Sequence, residues 1–287
     1  MQRLKISHLT EYRYASPVTL QSHQLLLRPR EGHDVRIESS KLDIFPASTL
    51  KWHRDMFDNS VAVASFLEPA DRLSIASEVV IEHYEEAPLD FVVADYAMNY
   101  PFLYNVEERV DLLPYEQSVY PSDQAAVRDW LSGLGIGQGP MQTYAILDQT
   151  NRAITSNFTY IKREEAGVQA PSQTLTNRSG SCRDYAALFI EACRYLGLAS
   201  RFVSGYLHAP ATEAGNAATH AWAEVYLPGP GWKGFDPTIG EITGSRHIAV
   251  AVARHPEAVP PISGSFMGPI ESAPTLTVSV QVVALWI

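Results

Sequence analysis

The chain has 287 residues, with 22 Lys and Arg against 32 Asp and Glu and a formal net charge of −10. An acidic chain without a basic run longer than a few residues lacks the concentrated positive surface that phosphate binding needs, which excludes a nucleic-acid binder. Hydrophobic residues at 46% and charged residues at 19% exclude a disordered chain, and the length suits two domains or one large one.

The opening Met1-Gln2-Arg3-Leu4-Lys5-Ile6 lacks the roughly 7–15-residue apolar stretch of a signal peptide, and no apolar run of about 18 residues follows anywhere. A soluble cytoplasmic protein with no membrane partner is the expectation. Residues 1 to about 85 read as strands. Leu4 and Ile6, then Tyr12 and Tyr14, alternate with polar neighbours, and short β-type runs at Leu25-Leu26-Leu27, Val35-Arg36-Ile37 and Leu42-Asp43-Ile44 are closed by Pro29 or Pro46. Asp58-Asn59 marks a chain reversal between Trp52…Phe57 and Val61-Ala62-Val63. Strands at this spacing predict an N-terminal β-sandwich.

Residues 86–120 carry Pro88, Pro101 and Pro114 and predict an ordered connection, after which a core runs over 121–287. Ser122 is the expected cap of a helix with an Ala126, Val127, Trp130, Leu131 stripe that ends at Gly133, and a second helix is expected from about Met141 to Thr155. Ala170 to Ser181 is loop-like in its Ser, Thr, Gly and Pro content. A helix then starts at Cys182, carries Ala186, Phe189, Cys193 and Leu196 on one face, and stops at Gly197. Strands follow at Ser200–Leu207, Ala221–Leu227 and Trp232–Thr238, and a further one in the tail at Thr275–Val283. A helix packed on an antiparallel sheet makes the fold class α+β.

Cys182 and Cys193 are the only cysteines. Eleven helical residues rise about 16 Å, far beyond the ~4.4–6.8 Å Cα separation of a disulfide. A disulfide scaffold and a cysteine-ligated zinc site are excluded, and any cysteine chemistry rests on one thiol. Cys193, in mid-helix on the apolar face, reads as a small core hydrophobe. Cys182 stands at a helix N-terminus, where open N–H groups and the helix dipole favour a thiolate and could hold an oxyanion. On its own it is as compatible with simple burial. A nucleophilic thiol needs a base and a group that orients the base. The Pro228-Gly229-Pro230-Gly231 turn joins two strands and returns Asp236 alongside His220. Singly, His220 reads as structural and Asp236, before Pro237, as a turn residue; their conjunction points to chemistry.

Three ordered blocks, Gly180-Ser181-Cys182-Arg183-Asp184-Tyr185-Ala186, Thr219-His220-Ala221-Trp222-Ala223-Glu224-Val225-Tyr226 and Gly231-Trp232-Lys233-Gly234-Phe235-Asp236-Pro237-Thr238, resemble the motifs of the transglutaminase-like superfamily. Thr10-Glu11-Tyr12-Arg13-Tyr14 and the Asp55-Met56-Phe57-Asp58-Asn59 turn resemble the β-rich domain that precedes this core in bacterial members. The resemblance implies a papain-like, transglutaminase-like core and places the catalytic cysteine on Cys182, the histidine on His220 and the aspartate on Asp236. It implies attack of the thiolate on an amide of a peptide or protein substrate, through a thioester that water resolves in a peptidase or amidase. An amine acceptor would instead make a protein-glutamine γ-glutamyltransferase. Arylamine acyl transfer is disfavoured, because its cysteine lies nearer the N-terminus, and a non-catalytic peptide-binding module is the reading from another class. The Cys182 N–H is the expected oxyanion donor, with Gln169 as the candidate for a second donor against a plain exposed loop glutamine. Arg183 and Asp184 either pair with neighbours or line the cleft, and Trp222 packs under the histidine. Gly229-Pro230-Gly231-Trp232-Lys233-Gly234 fits a dinucleotide fingerprint in letters only, since no helix follows. With no metal signature in the sequence, no cofactor and no metal are expected.

Overall fold

In the computed structural model, residues 1–84, 88–163, 165–208, 219–269 and 273–285 are described. The boundary expected at residues 85 and 86 lies outside them.

Six strands open the chain: β1 (Gln2–Leu20), β2 (His23–Leu25), β3 (Val35–Phe45), β4 (Ser48–Arg54), β5 (Ser60–Phe66) and β6 (Ala70–His83). The two short runs expected at Val35 and Leu42 are one strand, β3, which pairs along β6 with an irregularity between Ile37 and Ser39. The reversal at Asp58 is a turn: Asp58 N–H bonds the Asp55 carbonyl at 3.0 Å, and Asp58 takes a left-handed φ of 61°, a conformation Asp tolerates better than most residues.

The connection over 88–120 contains regular elements. After β7 (Asn99–Tyr100) it forms α1 (Val106–Glu116), with Pro114 inside its last turn. Placed so late, the proline interrupts little of the helical ladder. The carbonyls at that end find outside donors instead, Arg254 Nε to Pro114 O at 2.6 Å and Arg194 Nε to Tyr115 O at 3.1 Å. Next come α2 (Gln124–Gly133), β8 (Met141–Gln142), α3 (Thr143–Asn157) and β9 (Thr159–Tyr160). Ser122 does not cap α2; it sits in a 3-10 turn over Pro121–Asp123 and its hydroxyl bonds Asp123 at 3.2 Å. The stretch expected as loop contains α4 (Pro171–Asn177), started by a proline at its first position, where a missing N–H costs nothing. It leads through β10 (Ser179–Gly180) into α5 (Cys182–Tyr195).

The remaining strands are β11 (Ser200–Leu207), β12 (Thr219–Leu227), β13 (Gly231–Asp236), β14 (Glu241–Ile242), β15 (His247–Ala253), β16 (Ile262–Ser263), β17 (Phe266–Met267) and β18 (Thr275–Ala284). The core sheet is antiparallel in the order β14-β13-β12-β11-β15. Helix α5 packs on it, with Phe189 stacked on Phe235 at 5.6 Å and Ala221, Ala223 and Val225 in the same apolar cluster.

The expected core of 121–287 is corrected at its C-terminal end. Strand β18 pairs with β1 from Leu4↔Ala284 to Arg13↔Thr275, while β17 joins β1 and β16 joins β2. The tail is thus part of the N-terminal sheets, β17-β1-β6-β3 with β18 alongside β1, and β16-β2-β5-β4. Leu20, Leu25, Ala62, Leu73 and Ile75, drawn from both sheets, form one cluster.

The two units are tied through Asn59, which is fully buried. Its amide mimics a strand partner for Val252: Nδ2 donates to the Val252 carbonyl and Oδ1 accepts from the Val252 N–H, both at 2.8 Å. Arg30 Nη1 donates to the same Oδ1 at 2.8 Å, and Asp55 accepts from Nδ2 at 2.8 Å. Beside it Phe57 packs into the cluster of Val203, Trp222 and Val252. Alternation along β12 puts Trp222 on the face away from α5. Removing the amide strands buried donors and acceptors on three partners, so Asn59→Ala is expected to cost ~2–4 kcal/mol in equilibrium chemical denaturation; a loss below ~0.5 kcal/mol, the ordinary surface value, would contradict this role.

Candidate active site

The sequence of the segment before Cys182 explains how the helix start is held. Asp184, with no exposed surface, accepts four hydrogen bonds: at Oδ2 from the Ser181 N–H and Oγ, both at 2.8 Å, and at Oδ1 from Arg163 Nη1 and the Gln169 N–H, both at 2.7 Å. Burial works against its charge, but the backbone donors of Ser181 and Gln169, with Arg163, hold its carboxyl below the usual range. Of the two roles expected for it, Asp184 takes the first: it pairs with neighbours and fixes the turn that delivers Cys182. Arg183 reaches away to the carbonyls of Arg163 and Glu165. Gly180 is needed just before the turn, since a Cβ there would lie 2.9 Å from the Asp184 Cβ.

Cys182 is partly exposed and Cys193 buried. The Asp184 and Tyr185 N–H groups already bond the Ser181 carbonyl, which leaves those of Cys182 and Arg183 as the open donors of the helix N-terminus. Cys193 is 1% exposed, and burial pushes its thiol up to about 12.

The hairpin of β12 and β13 pairs Ala223 with Phe235. That register sets Asp236 beside Trp222 and within reach of His220, two residues further along β12 on the same face. His220 Nε2 lies 2.7 Å from Asp236 Oδ2, and Cys182 is among the groups that act on the same imidazole. The structure therefore brings His220 and Asp236 into contact, with Cys182 near enough to influence the imidazole. Burial alone would lower the pKa of His220, but the charge and hydrogen bond of Asp236, with those of Cys182, raise it to about 10. Asp236 has no exposed surface; burial opposes its ionisation, yet His220 and His247 hold its carboxyl far below the ordinary range. Its Oδ1 accepts from the Thr238 N–H at 2.9 Å. Trp222, 2% exposed, lies 6.2 Å from the His220 ring, as expected for packing beneath it.

Gln169 is placed differently from its expected role. It is buried, and its amide nitrogen donates to Thr174 Oγ1 at 3.0 Å and to the Ser179 carbonyl at 2.9 Å. Both amide protons are spent on holding α4 to β10, so no side-chain donor remains for an oxyanion. Tyr160 lies on β9 next to β10, and partial burial, with Cys182 as the next cause, pushes its phenol up to about 12.

His247 was not singled out by sequence. Its Nε2 lies 3.0 Å from Asp236 Oδ2, the oxygen that His220 also contacts. One ligand atom each from His220, Asp236 and His247 lies within 4.8 Å of the others, a spacing that could hold a metal ion. Hydrogen bonds to the carboxylate account for the same convergence. Among the described residues, no helix is long and apolar enough to cross a membrane.

Comparison with known proteins finds that residues 4–82 match the family described as bacterial transglutaminase-like N-terminal region, and residues 134–237 that described as transglutaminase-like superfamily. The uncharacterized protein Rv2569c of Mycobacterium tuberculosis is 31% identical over 98% of this chain and 92% of its own. The uncharacterized protein ML0607 of Mycobacterium leprae is 23% identical over 99% of this chain and 100% of its own. Among solved structures, a candidate cysteine protease from Cytophaga hutchinsonii has the same fold, with a TM-score of 0.77 at 19% identity over 100% of this chain and 91% of that one.

The raised pKa of His220 has a consequence for stability. A proton that leaves the unfolded chain near 6.5 but the folded one near 10 stabilises the fold fully below 6.5, and that contribution fades as pH rises through about 10. His220→Ala is accordingly expected to lower the calorimetric melting temperature more at about pH 6 than at about pH 10.5. An equal loss at both would contradict the assignment.

Proposed function

Because the chain belongs to the transglutaminase-like superfamily, we propose that it is a cysteine enzyme that cleaves amide bonds in a peptide or protein, with Cys182 as nucleophile, His220 as acid and base, and Asp236 as the group that orients His220. The observation that carries this reading is the His220–Asp236 pair beside Cys182: Nε2 meets the Asp236 carboxylate at 2.7 Å, and Cys182 is among the groups that raise the pKa of the ring. With Nε2 committed to Asp236, Nδ1 is the nitrogen left for the thiol.

In the reaction, His220 takes the thiol proton and Cys182 Sγ attacks the amide carbonyl. The carbonyl oxygen gains the negative charge of a tetrahedral intermediate next to the open N–H groups of Cys182 and Arg183. As the C–N bond breaks, His220 returns the proton to the leaving nitrogen, and the acyl group stays on sulfur as a thioester. Water, deprotonated by His220, then attacks the thioester carbonyl, releasing the acid and restoring the thiol. Asp236, kept ionised by its donors, holds the imidazole in one orientation and balances its charge while it carries the extra proton. An amine in place of water would leave the first half of the reaction unchanged and turn the enzyme into a γ-glutamyltransferase.

Purified protein incubated with a peptide library and a primary amine, with products weighed by mass spectrometry, tests the reading. Cleaved peptides or released ammonia are expected with the wild type and none with Cys182→Ala, while Asp236→Asn should lower turnover about 10²–10⁴-fold. Amine incorporation would replace hydrolysis by transamidation. Product undiminished in Cys182→Ala would overturn the assignment of the nucleophile, and intact peptides with every protein would favour a binding module.

A further inference from the structure

His247 has no part in the steps above, yet it contacts the same carboxylate oxygen as His220. It is 7% exposed, and its Nε2 lies 3.0 Å from Asp236 Oδ2. The backbone on its other side fixes its protonation. Nδ1 lies 3.3 Å from the Gly244 N–H, a group that can only donate. Nδ1 must therefore accept, which makes the imidazole neutral and puts its one proton on Nε2, facing Asp236. The ring is held in this pose from several sides: the His247 N–H bonds the Gly244 carbonyl at 2.9 Å, the His247 carbonyl lies 3.1 Å from His83 Nε2, and Trp222 meets the ring edge to face at 5.3 Å. The two histidines thus differ in kind. His247 has a backbone N–H against its second nitrogen, whereas the second nitrogen of His220 is left for the reacting groups.

We propose that His247 is a positioning residue, a fixed neutral donor that clamps Asp236 Oδ2 so that the carboxylate stays ionised and aimed at His220. The proposal rests on the reading of His220 as the acid and base. Without this donor, Oδ2 of a fully buried carboxylate keeps only His220, and the anion is both less stable and free to turn. His220 then loses its fixed counter-charge, and the Cys182 thiol loses reactivity with it.

Two measurements test this. In the wild-type protein at neutral pH, long-range ¹H–¹⁵N correlation spectra are expected to show His247 as the neutral tautomer with its proton on Nε2; a charged ring, or a proton on Nδ1, would overturn the proposal whether or not Cys182 is the nucleophile. The second is the rate of iodoacetamide alkylation at Cys182, located by peptide mapping. His247→Leu should slow it about 10–100-fold, the worth of a hydrogen bond to a charged group. His247→Gln, which keeps an amide donor near the Nε2 position, should recover most of that loss, with thermal melts confirming that both variants are folded. A wild-type rate in His247→Leu, or no recovery in His247→Gln, would overturn it. Failure of the underlying reading looks different: wild-type Cys182 would then react no faster than a free thiol, and His220→Ala would leave that rate unchanged, while the tautomer of His247 would still be measured.

Discussion

A carboxylate with no exposed surface is costly unless donors surround it, and the site of this protein is arranged around one. Asp236 receives His220 and His247 on Oδ2 and the Thr238 N–H on Oδ1. Each donor arrives on a different part of the chain. His220 needs the β12–β13 hairpin in register, Thr238 needs the turn after β13, and His247 needs the chain to cross to β15 on the far side of the sheet. The requirement to satisfy Asp236 therefore ties the order of the core sheet to the geometry of the site. Helix α5 completes it: Phe189 stacks on Phe235, the neighbour of Asp236, and the Asp184 hub anchors the turn from which Cys182 emerges.

The N-terminal unit is fastened to the back of this arrangement. Asn59 pairs with the backbone of Val252 on β15, and Phe57 covers Trp222, which lies beneath both histidines. Strand β18 then closes the chain onto β1. The core is held between two parts of one unit, entering it after β6 and leaving it through β16. The apolar face that this unit covers is the one that supports the imidazoles.

What the sequence made legible was local. The apolar steps from Cys182 to Leu196, the turn at Pro228–Gly231 and the reversal at Asp58-Asn59 each follow from a few neighbouring residues, and the structure has α5, the hairpin and the turn in those places. The misses were of two kinds. In one, tertiary partners decided what local signals left open: Pro114 marked only a connection, and two arginines from distant segments satisfy the end of the helix that contains it. In the other, the information lay in how the chain crosses space. Nothing around Thr275 says that it pairs with β1 rather than with the core sheet, and nothing in Arg246-His247-Ile248 says that this imidazole meets Asp236. Gln169 was judged by its nearness in sequence to Cys182, whereas its donors are absorbed by Thr174 and Ser179.

The central claim is that Cys182 carries the acyl group during turnover. Acid quenching of the protein during reaction with an amide substrate, followed by peptide mapping, tests it most directly. The expected result is a mass adduct on the peptide containing Cys182, removed by hydroxylamine as a thioester would be and absent from His220→Ala. An adduct on another residue, or steady product formation with Cys182 unmodified throughout, would contradict it.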